Sequence, residues 1–261
     1  MVFSIRAPLA AEVSYSTLSL DTLVDELTLV ASATPGVTGM GWYSAFMADG
    51  TPAKFEGGIL GMPAPSVPPQ MRELVRRGLA ALPALVRHLE DRRPTKLVVG
   101  GLITEGGFFM FQYFSDEYDP RMRPVALRKP AADPRAKPLE RDFSGTYTVK
   151  VGDLCYVLIG QIVNRNLTAV RYQPTGGLIV NSPVEAPVLI EEVKRDWNGL
   201  DAGQHEASLL GDLESDNPLQ SRAALLRLRF YYPAAYRSLQ GEALRKRAAL
   251  EAEEKRGESR N

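Results

Sequence analysis

The apolar run at residues 151–163 constrains the fold more than any other part of this chain. It reads VGDLCYVLIGQIV and contains one charged residue, Asp153. From Leu154 to Ile159, the side chains that would point to either face of a strand are apolar, which is typical of a strand buried on both faces. We therefore predict a strand at residues 154–159 that lies in the middle of a sheet or is covered by a helix.

Cys155, the only cysteine in the chain, lies within this run. A nucleophilic thiolate needs a nearby base and an electropositive, partly exposed setting. The neighbours of Cys155 are apolar instead, so we expect an inert thiol in the core. A single cysteine also excludes an internal disulfide and any metal site with several thiolate ligands.

Other chemistries lack their usual residues. The chain has two histidines, His88 and His205, which is one fewer than the three protein ligands of most catalytic zinc sites. We expect both to be exposed or half-buried helix residues. The acidic stretch SDEYD at 115–119 lacks EF-hand spacing, and GVTGMG at 36–41 lacks the lysine of a phosphate-binding loop. No cofactor is predicted.

Strand patterns occur on both sides of a proline-rich segment. Runs at 96–103 and 107–114 predict a hairpin, and the alternation from Thr146 to Val151 predicts a strand with one exposed face. Shorter strands are expected at 168–172 and 177–180. Residues 115–143 contain five prolines, charges of both signs and no apolar period, so they predict a long loop or linker.

Helical patterns flank the predicted strands. The first runs from Ser19 to about Ala33, and Ser182-Pro183-Val184-Glu185 is typical of a capping box that begins another helix. Further helices are expected at 204–214 and 221–232, with a helical tail to about residue 256.

Two short apolar stripes on either side of Gly78 predict a helical hairpin at residues 68–91. The stretch carries Gly78, Ala81-Leu82-Pro83-Ala84-Leu85-Val86, Leu89 and Asp91, and with them it resembles a single HEAT-type repeat. HEAT repeats generally bind proteins, so the resemblance implies a contact surface. The chain has no second copy at a period of about 30–50 residues, so a solenoid is not predicted. Residues 160–183 resemble stretches of bacterial proteins that have no assigned activity.

These patterns together predict an α+β protein. Its parts are an N-terminal helical portion with the HEAT-like hairpin, a central, mostly antiparallel sheet, and C-terminal helices packed on that sheet. The predicted organisation is 1–114 for the hairpin and first strands, 115–143 for the linker, and 144–261 for the remaining strands and helices. The two halves could also form one continuous domain.

Charge and hydrophobicity limit the classes of partner. Lys plus Arg and Asp plus Glu both number 31, so no whole-molecule field would steer the chain to nucleic acid or to an anionic membrane. No window of about 18 apolar residues and no leader-like start are visible, and we expect a cytoplasmic protein without a membrane partner.

A cluster of Arg, Asn and Gln side chains at predicted strand ends is the candidate binding site. Consecutive strands would bring these residues close together, and guanidinium and amide groups suit a carboxylate, a phosphate or a partner's backbone. The candidate residues are Gln161, Asn164, Arg165, Arg171, Gln173 and Asn181. The alternative is that the amides satisfy turn backbones while each arginine pairs with a local acid.

The absence of a catalytic motif favours a non-catalytic protein-interaction module, such as an immunity-type or adaptor protein with a protein partner. Two alternatives stay open. One is a binder of a small anionic ligand, or an enzyme, that uses the Arg/Asn/Gln cluster. The other is a structural subunit of a larger assembly.

Overall fold

A computed structural model describes residues 14–34, 37, 46–49, 66–100, 111–113, 146–172 and 178–239, with 111–113, 171–172 and 178–179 described by their backbone alone. The α+β class is confirmed. In chain order the elements are α1 (Leu20–Asp25), α2 (Pro69–Arg76), α3 (Leu82–Arg87), β1 (Pro94–Gly100), β2 (Phe111–Tyr113), β3 (Thr146–Lys150), α4 (Val151–Val163), β4 (Val170–Tyr172), β5 (Leu178–Val180), α5 (Pro187–Trp197), α6 (Ala202–Leu213), α7 (Pro218–Tyr231) and α8 (Pro233–Ser238).

The apolar run forms a helix rather than the predicted strand. Helix α4 follows β3 without a break, and all of its residues from Val151 to Val163 are buried. A helix that is buried on every side carries no amphipathic period, so its sequence resembles that of a buried strand. The prediction of a strand at 154–159 is therefore wrong, although the expected burial is correct.

Helix α4 lies at the centre of the hydrophobic core. Helices α2 and α3 pack on it from the N-terminal half, and α6 packs on it from the C-terminal half. One continuous cluster of buried apolar residues extends from Leu23 to Trp197. The predicted N-terminal and C-terminal portions therefore share one core in the described residues.

The strands form two small sheets. Strands β1 and β3 pair antiparallel, with Val98 opposite Thr148, and β5 lies between β2 and β4. Strand β4 pairs antiparallel with β5, whereas β2 pairs parallel with it. Within the described residues β1 therefore pairs with β3, and the expected pairing of β1 with β2 does not appear. The predicted linker at 115–143 lies outside the described residues.

The N-terminal helices begin at their sequence signals, but the helical backbone of the first ends at Leu29 rather than at about residue 33. Ser19 caps α1 by accepting a hydrogen bond from the Thr22 N–H at 3.1 Å, and a 3-10 turn at Glu26–Leu29 continues the helix. Gly78 takes the left-handed conformation, with φ of 54°, between α2 and α3. Its missing side chain also leaves room for the ring of Tyr231 from α7. The two short helices predicted around Gly78 are confirmed.

The predicted C-terminal helices are present, but α5, α6 and α7 begin two to four residues away from their predicted starts. Ser182 forms a turn in which its hydroxyl accepts from the Glu185 N–H at 3.3 Å, but α5 begins only at Pro187. Helix α5 contacts α3, while α6 contacts α4 and α7, so within the described residues these helices pack mainly on other helices rather than on the predicted sheet. The predicted tail beyond residue 239 lies outside the described part of the chain.

Gly152 and Gly211 give a matched test of the close packing around α4. A Cβ atom at Gly152 would lie 2.4 Å from the carbonyl oxygen of Leu89, whereas nothing lies within 4 Å of a Cβ at Gly211. We expect Gly152→Ala to lower the free energy of unfolding by about 2 kcal/mol or more, because backbone must shift. Gly211→Ala, in the exposed part of α6, should raise it by up to about 1 kcal/mol. Urea unfolding of both variants measures this, and similar effects of the two would contradict it.

Candidate functional site

Three groups donate hydrogen bonds to the buried carboxylate of Asp153 at the N-terminal end of α4. They are the Lys150 backbone N–H at 2.9 Å, the Tyr147 hydroxyl at 2.8 Å and the Ser182 hydroxyl. Burial raises the pKa of Asp153 despite these donors, and burial beside Asp153 raises the pKa of Tyr147. The Lys150 ammonium lies over the Tyr147 ring and pairs with Glu185.

Backbone carbonyls from the segment between α3 and β1 accept hydrogen bonds from this end of the helix. The first N–H groups of a helix have no partner within it. The Val151 N–H donates to the carbonyl of Arg93 and the Gly152 N–H donates to that of Asp91, both at 3.0 Å. The cluster around Asp153 is therefore an N-terminal cap that is built from buried polar groups.

Side chains from α6 and α7 reach the carbonyls at the C-terminal end of α4. Arg227 Nε donates to the carbonyl of Gln161 at 2.6 Å, and His205 Nε2 donates to that of Ile162 at 3.0 Å. Arg165 Nη1 donates to the carbonyls of Val163 and Asn164. Each carbonyl oxygen that the end of the helix leaves free therefore has a donor from the protein.

Asp212 connects the residues of this C-terminal cap. Its carboxylate pairs with the Arg165 guanidinium and accepts from Asn164 Nδ2 at 2.8 Å and from Gln220 Nε2 at 3.0 Å. The side chains of Arg165 and Asp212 are only 10% and 8% exposed. The guanidinium of Arg165 lies over the ring of Trp197, with Cζ 5.3 Å from the ring centroid.

The structure brings three of the six candidate binding residues together. Gln161, Asn164 and Arg165 lie in the last turn and cap of α4, where Asn164 adopts the left-handed conformation with φ of 59°. Gln161 also accepts a hydrogen bond from the Met47 N–H through Oε1, at 3.3 Å. They lie at the end of a helix rather than at a strand end, because 151–163 is helical.

The other three candidates are placed differently. Asn181 follows β5, and its Nδ2 contacts the Tyr156 hydroxyl at 3.4 Å. Within the described residues nothing donates to its buried Oδ1. The backbone of Arg171 lies in β4, but its side chain and all of Gln173 lie outside the described residues. Whether these six residues bind a ligand stays a prediction.

His205 is buried, contrary to the expectation of an exposed or half-buried residue. Its Nε2 donates to the carbonyl of Ile162, so in the neutral ring Nδ1 accepts from the Tyr232 hydroxyl at 2.9 Å. Burial, aided by the nearby charges of Arg227 and Arg165, lowers the pKa of His205 to about 4, although the Ile162 hydrogen bond opposes this shift. The imidazole is therefore a neutral cap at physiological pH.

Arg227 and Cys155 are buried in different ways. Arg227 donates to the carbonyls of Gln161 and Ala223, and its guanidinium lies 4.8 Å from the Phe46 ring centroid. Burial lowers its pKa to about 10, which still leaves it charged at neutral pH. Cys155 is fully buried, and burial together with the charges of Asp91 and Asp153 raises the pKa of its thiol. The prediction of a core thiol is confirmed.

Sequence reasoning missed four residues of the C-terminal cap: His205, Asp212, Gln220 and Arg227. A signal was present, because each lies at helical spacing from buried apolar residues of its own helix. His205 precedes Leu209 by four positions, and Arg227 follows Ala223 by four. A polar residue on the apolar stripe of a helix indicates a buried hydrogen-bond partner.

Comparison with known proteins adds no assigned relative. No family model matches the chain, and no curated protein or solved structure matches it either. The chain therefore resembles no family of assigned function.

Within the ranges described, every helix is too short or too polar to cross a membrane. The same residues contain no group of three His, Cys, Asp or Glu side chains placed to hold a metal ion.

The ion pair of Arg165 and Asp212 should contribute far more than a surface pair. Asp212→Ala leaves a buried guanidinium without its carboxylate, so we expect a loss of about 3–5 kcal/mol in the free energy of unfolding. Asp21 is the matched control, because it pairs with Arg87 at the surface, where the two side chains are 70% and 61% exposed. Asp21→Ala should cost less than about 1 kcal/mol. Denaturant unfolding of the two variants measures both losses. Equal losses would show that the buried pair contributes no more to the free energy of unfolding than the surface pair.

His205 should make the fold less stable in mild acid. Its pKa is about 4 in the folded chain, against 6.5 for a histidine free of these surroundings, so the unfolded chain binds the proton first as the pH falls. The contribution is complete above pH 6.5 and decreases progressively towards pH 4, by about 3 kcal/mol in total.

The variant His205→Gln isolates this effect, because Gln keeps an N–H donor but does not titrate. We expect the difference in stability between the wild type and His205→Gln to shrink as the pH falls from 6.5 to 4. Thermal unfolding at a series of pH values measures it. A constant difference across this range would show that His205 is not held neutral.

Proposed function

We propose that the chain is a non-catalytic protein-interaction protein of the bacterial cytoplasm, of the immunity or adaptor type. The observation that carries the proposal is an apolar strand residue on the exposed side of the β1–β3 sheet. Val98 is 56% exposed there, whereas its neighbours Leu97 and Val99 lie on the opposite, buried face of the strand. A partner that covered it would bury apolar area that water now contacts.

The outer face of this sheet consists of Lys96, Val98, Thr146 and Thr148, which are all exposed. The adjacent 3-10 turn at Glu26–Leu29 contacts β1 and ends in Leu29, which is 47% exposed. Two of the three large apolar side chains most exposed among the described residues thus belong to elements in contact. Threonine and lysine around an apolar centre resemble the polar rim of a protein interface.

The buried ionisable groups support a non-catalytic role because each has a structural use. Asp153 accepts three hydrogen bonds at one end of α4, and His205 and Arg227 cap the other. The thiol of Cys155 is fully buried, and this burial raises its pKa. General acid–base or nucleophilic chemistry needs a group within reach of a substrate, and these groups face the core.

Binding of a small anion at Arg165 has less support. Its Nη1 already pairs with Asp212, and its Nη2 donates to the Ser208 hydroxyl at 3.3 Å. An anion would have to compete with a buried carboxylate that is bonded to three side chains. We therefore assign the contact surface to the outer face of the β1–β3 sheet rather than to the Arg/Asn/Gln cluster.

Site-specific photocrosslinking tests the proposal. A photoreactive amino acid replaces Val98 in one full-length variant and Leu219 in another, because Leu219 is also apolar and 36% exposed but lies on α7. The variants are expressed in cells of the source organism, and crosslinked products are identified by mass spectrometry. We expect one protein to crosslink at position 98 and not at 219, and Val98→Lys to abolish its co-purification while Leu219→Lys does not.

Unchanged melting temperatures in both lysine variants serve as the control for folding. The same crosslinked proteins at both positions, or none at position 98, would contradict the proposed surface. Crosslinking of the chain only to itself would favour a structural subunit of a larger assembly.

A further inference from the structure

The connection between α5 and α6 contains an exposed Asn-Gly pair. Helix α5 ends at Trp197, and Asn198 and Gly199 follow it with both residues exposed. The Asn198 N–H donates to the carbonyl of Lys194 at 3.1 Å, but its side-chain amide makes no hydrogen bond within the described residues. Gly199 has φ of 81°, and nothing lies within 4 Å of the position of a Cβ atom.

We propose that Asn198 is a site of spontaneous deamidation in the folded protein. The Gly199 backbone nitrogen attacks Cγ of Asn198, a C–N bond forms, and the side-chain nitrogen leaves as ammonia. The resulting succinimide then takes up one water molecule, which opens either of its two carbonyls. The products are an aspartate or an isoaspartate in place of the asparagine, plus ammonium.

The local backbone permits this reaction. Cyclisation requires rotation about the Cα–C bond of Asn198, whose ψ is now 124°. A glycine in the next position tolerates that rotation because it has no side chain and adopts positive φ without strain. The open space around Gly199 leaves the movement unhindered.

The other described asparagines lack this combination. Asn164 and Asn181 are buried, and Asn164 Nδ2 is bonded to Asp212 and to the carbonyl of Gln220. Asn217 precedes Pro218, whose backbone nitrogen carries no hydrogen. Asn166 is exposed, but it precedes the buried Leu167 and its Oδ1 accepts from the Thr168 hydroxyl at 2.7 Å.

The reaction would change the connection between α5 and α6 and so weaken the C-terminal cap of α4. A new carboxylate at position 198 places negative charge at the C-terminal end of α5, where the helix dipole disfavours it. An isoaspartate also adds one carbon to the main chain between Trp197 and Asp201, which caps α6. Trp197 contacts Arg165, and α6 carries His205 and Asp212, so deamidation should loosen the helices that hold the end of α4.

The test is incubation of the folded full-length protein at mildly alkaline pH, followed by peptide mapping with mass spectrometry and enzymatic labelling of isoaspartate. We expect the amide of Asn198 to be lost with formation of both products, while the peptide that contains Asn166 keeps its mass. The melting temperature should fall as the product accumulates. It should stay constant in Asn198→Gln, whose longer side chain forms the corresponding ring far more slowly.

A parallel sample unfolded in urea gives the reference rate. An Asn198 that stays intact in the folded protein while the unfolded chain reacts would contradict the proposal. Equal conversion at Asn166 and Asn198 would also contradict it, because Asn166 precedes the buried Leu167 and lacks the geometry of an exposed Asn-Gly pair. If the product forms with no change in melting temperature, the proposed effect on the cap of α4 is wrong.

Discussion

A helix buried on every side must satisfy its own ends inside the protein. Helix α4 meets this requirement with hydrogen-bonding groups from several parts of the chain, which must therefore pack against its two ends. The Lys150 N–H, immediately before the helix, donates to Asp153, and the first two N–H groups of the helix donate to the carbonyls of Arg93 and Asp91. Its C-terminal carbonyls accept from Arg165, His205 and Arg227.

This requirement explains why polar and charged residues are buried beside the large apolar cluster around α4. Arg227 and His205 come from α7 and α6, so the cap fixes both helices against α4. Asp212 then neutralises Arg165 and orients Asn164. Polar groups in such a network are favourable only while each has its partner, so loss of one should affect several. The proposed binding surface uses the exposed face of the β1–β3 sheet, whereas the buried face of β3 supplies Tyr147 to the N-terminal cap of α4.

The sequence predicted most elements but not the central one. Alternation in β3 and the stripes of α1, α2 and α3 are periodic because each has one buried face. The run at 151–163 has no such period, and its valines and isoleucines favour a strand. Its length of 13 residues exceeds a usual strand, and Asn164-Arg165 could have indicated a helix end. The C-terminal cap of α4 was only partly predictable. Gln161, Asn164 and Arg165 lie at the end of α4 itself, whereas Asp212 and Arg227 belong to α6 and α7 and meet α4 only in the folded chain.

The most direct measurement is NMR hydrogen exchange of the arginine Nε–H protons in the native protein. We expect the Nε–H of Arg227 to exchange as slowly as the backbone amides of α4, because it donates to the carbonyl of Gln161 in the core. Arg229 is the internal control, since it lies on the same helix with its side chain 55% exposed and should exchange rapidly. Rapid exchange at both arginines would show that Arg227 does not cap the C-terminal end of α4.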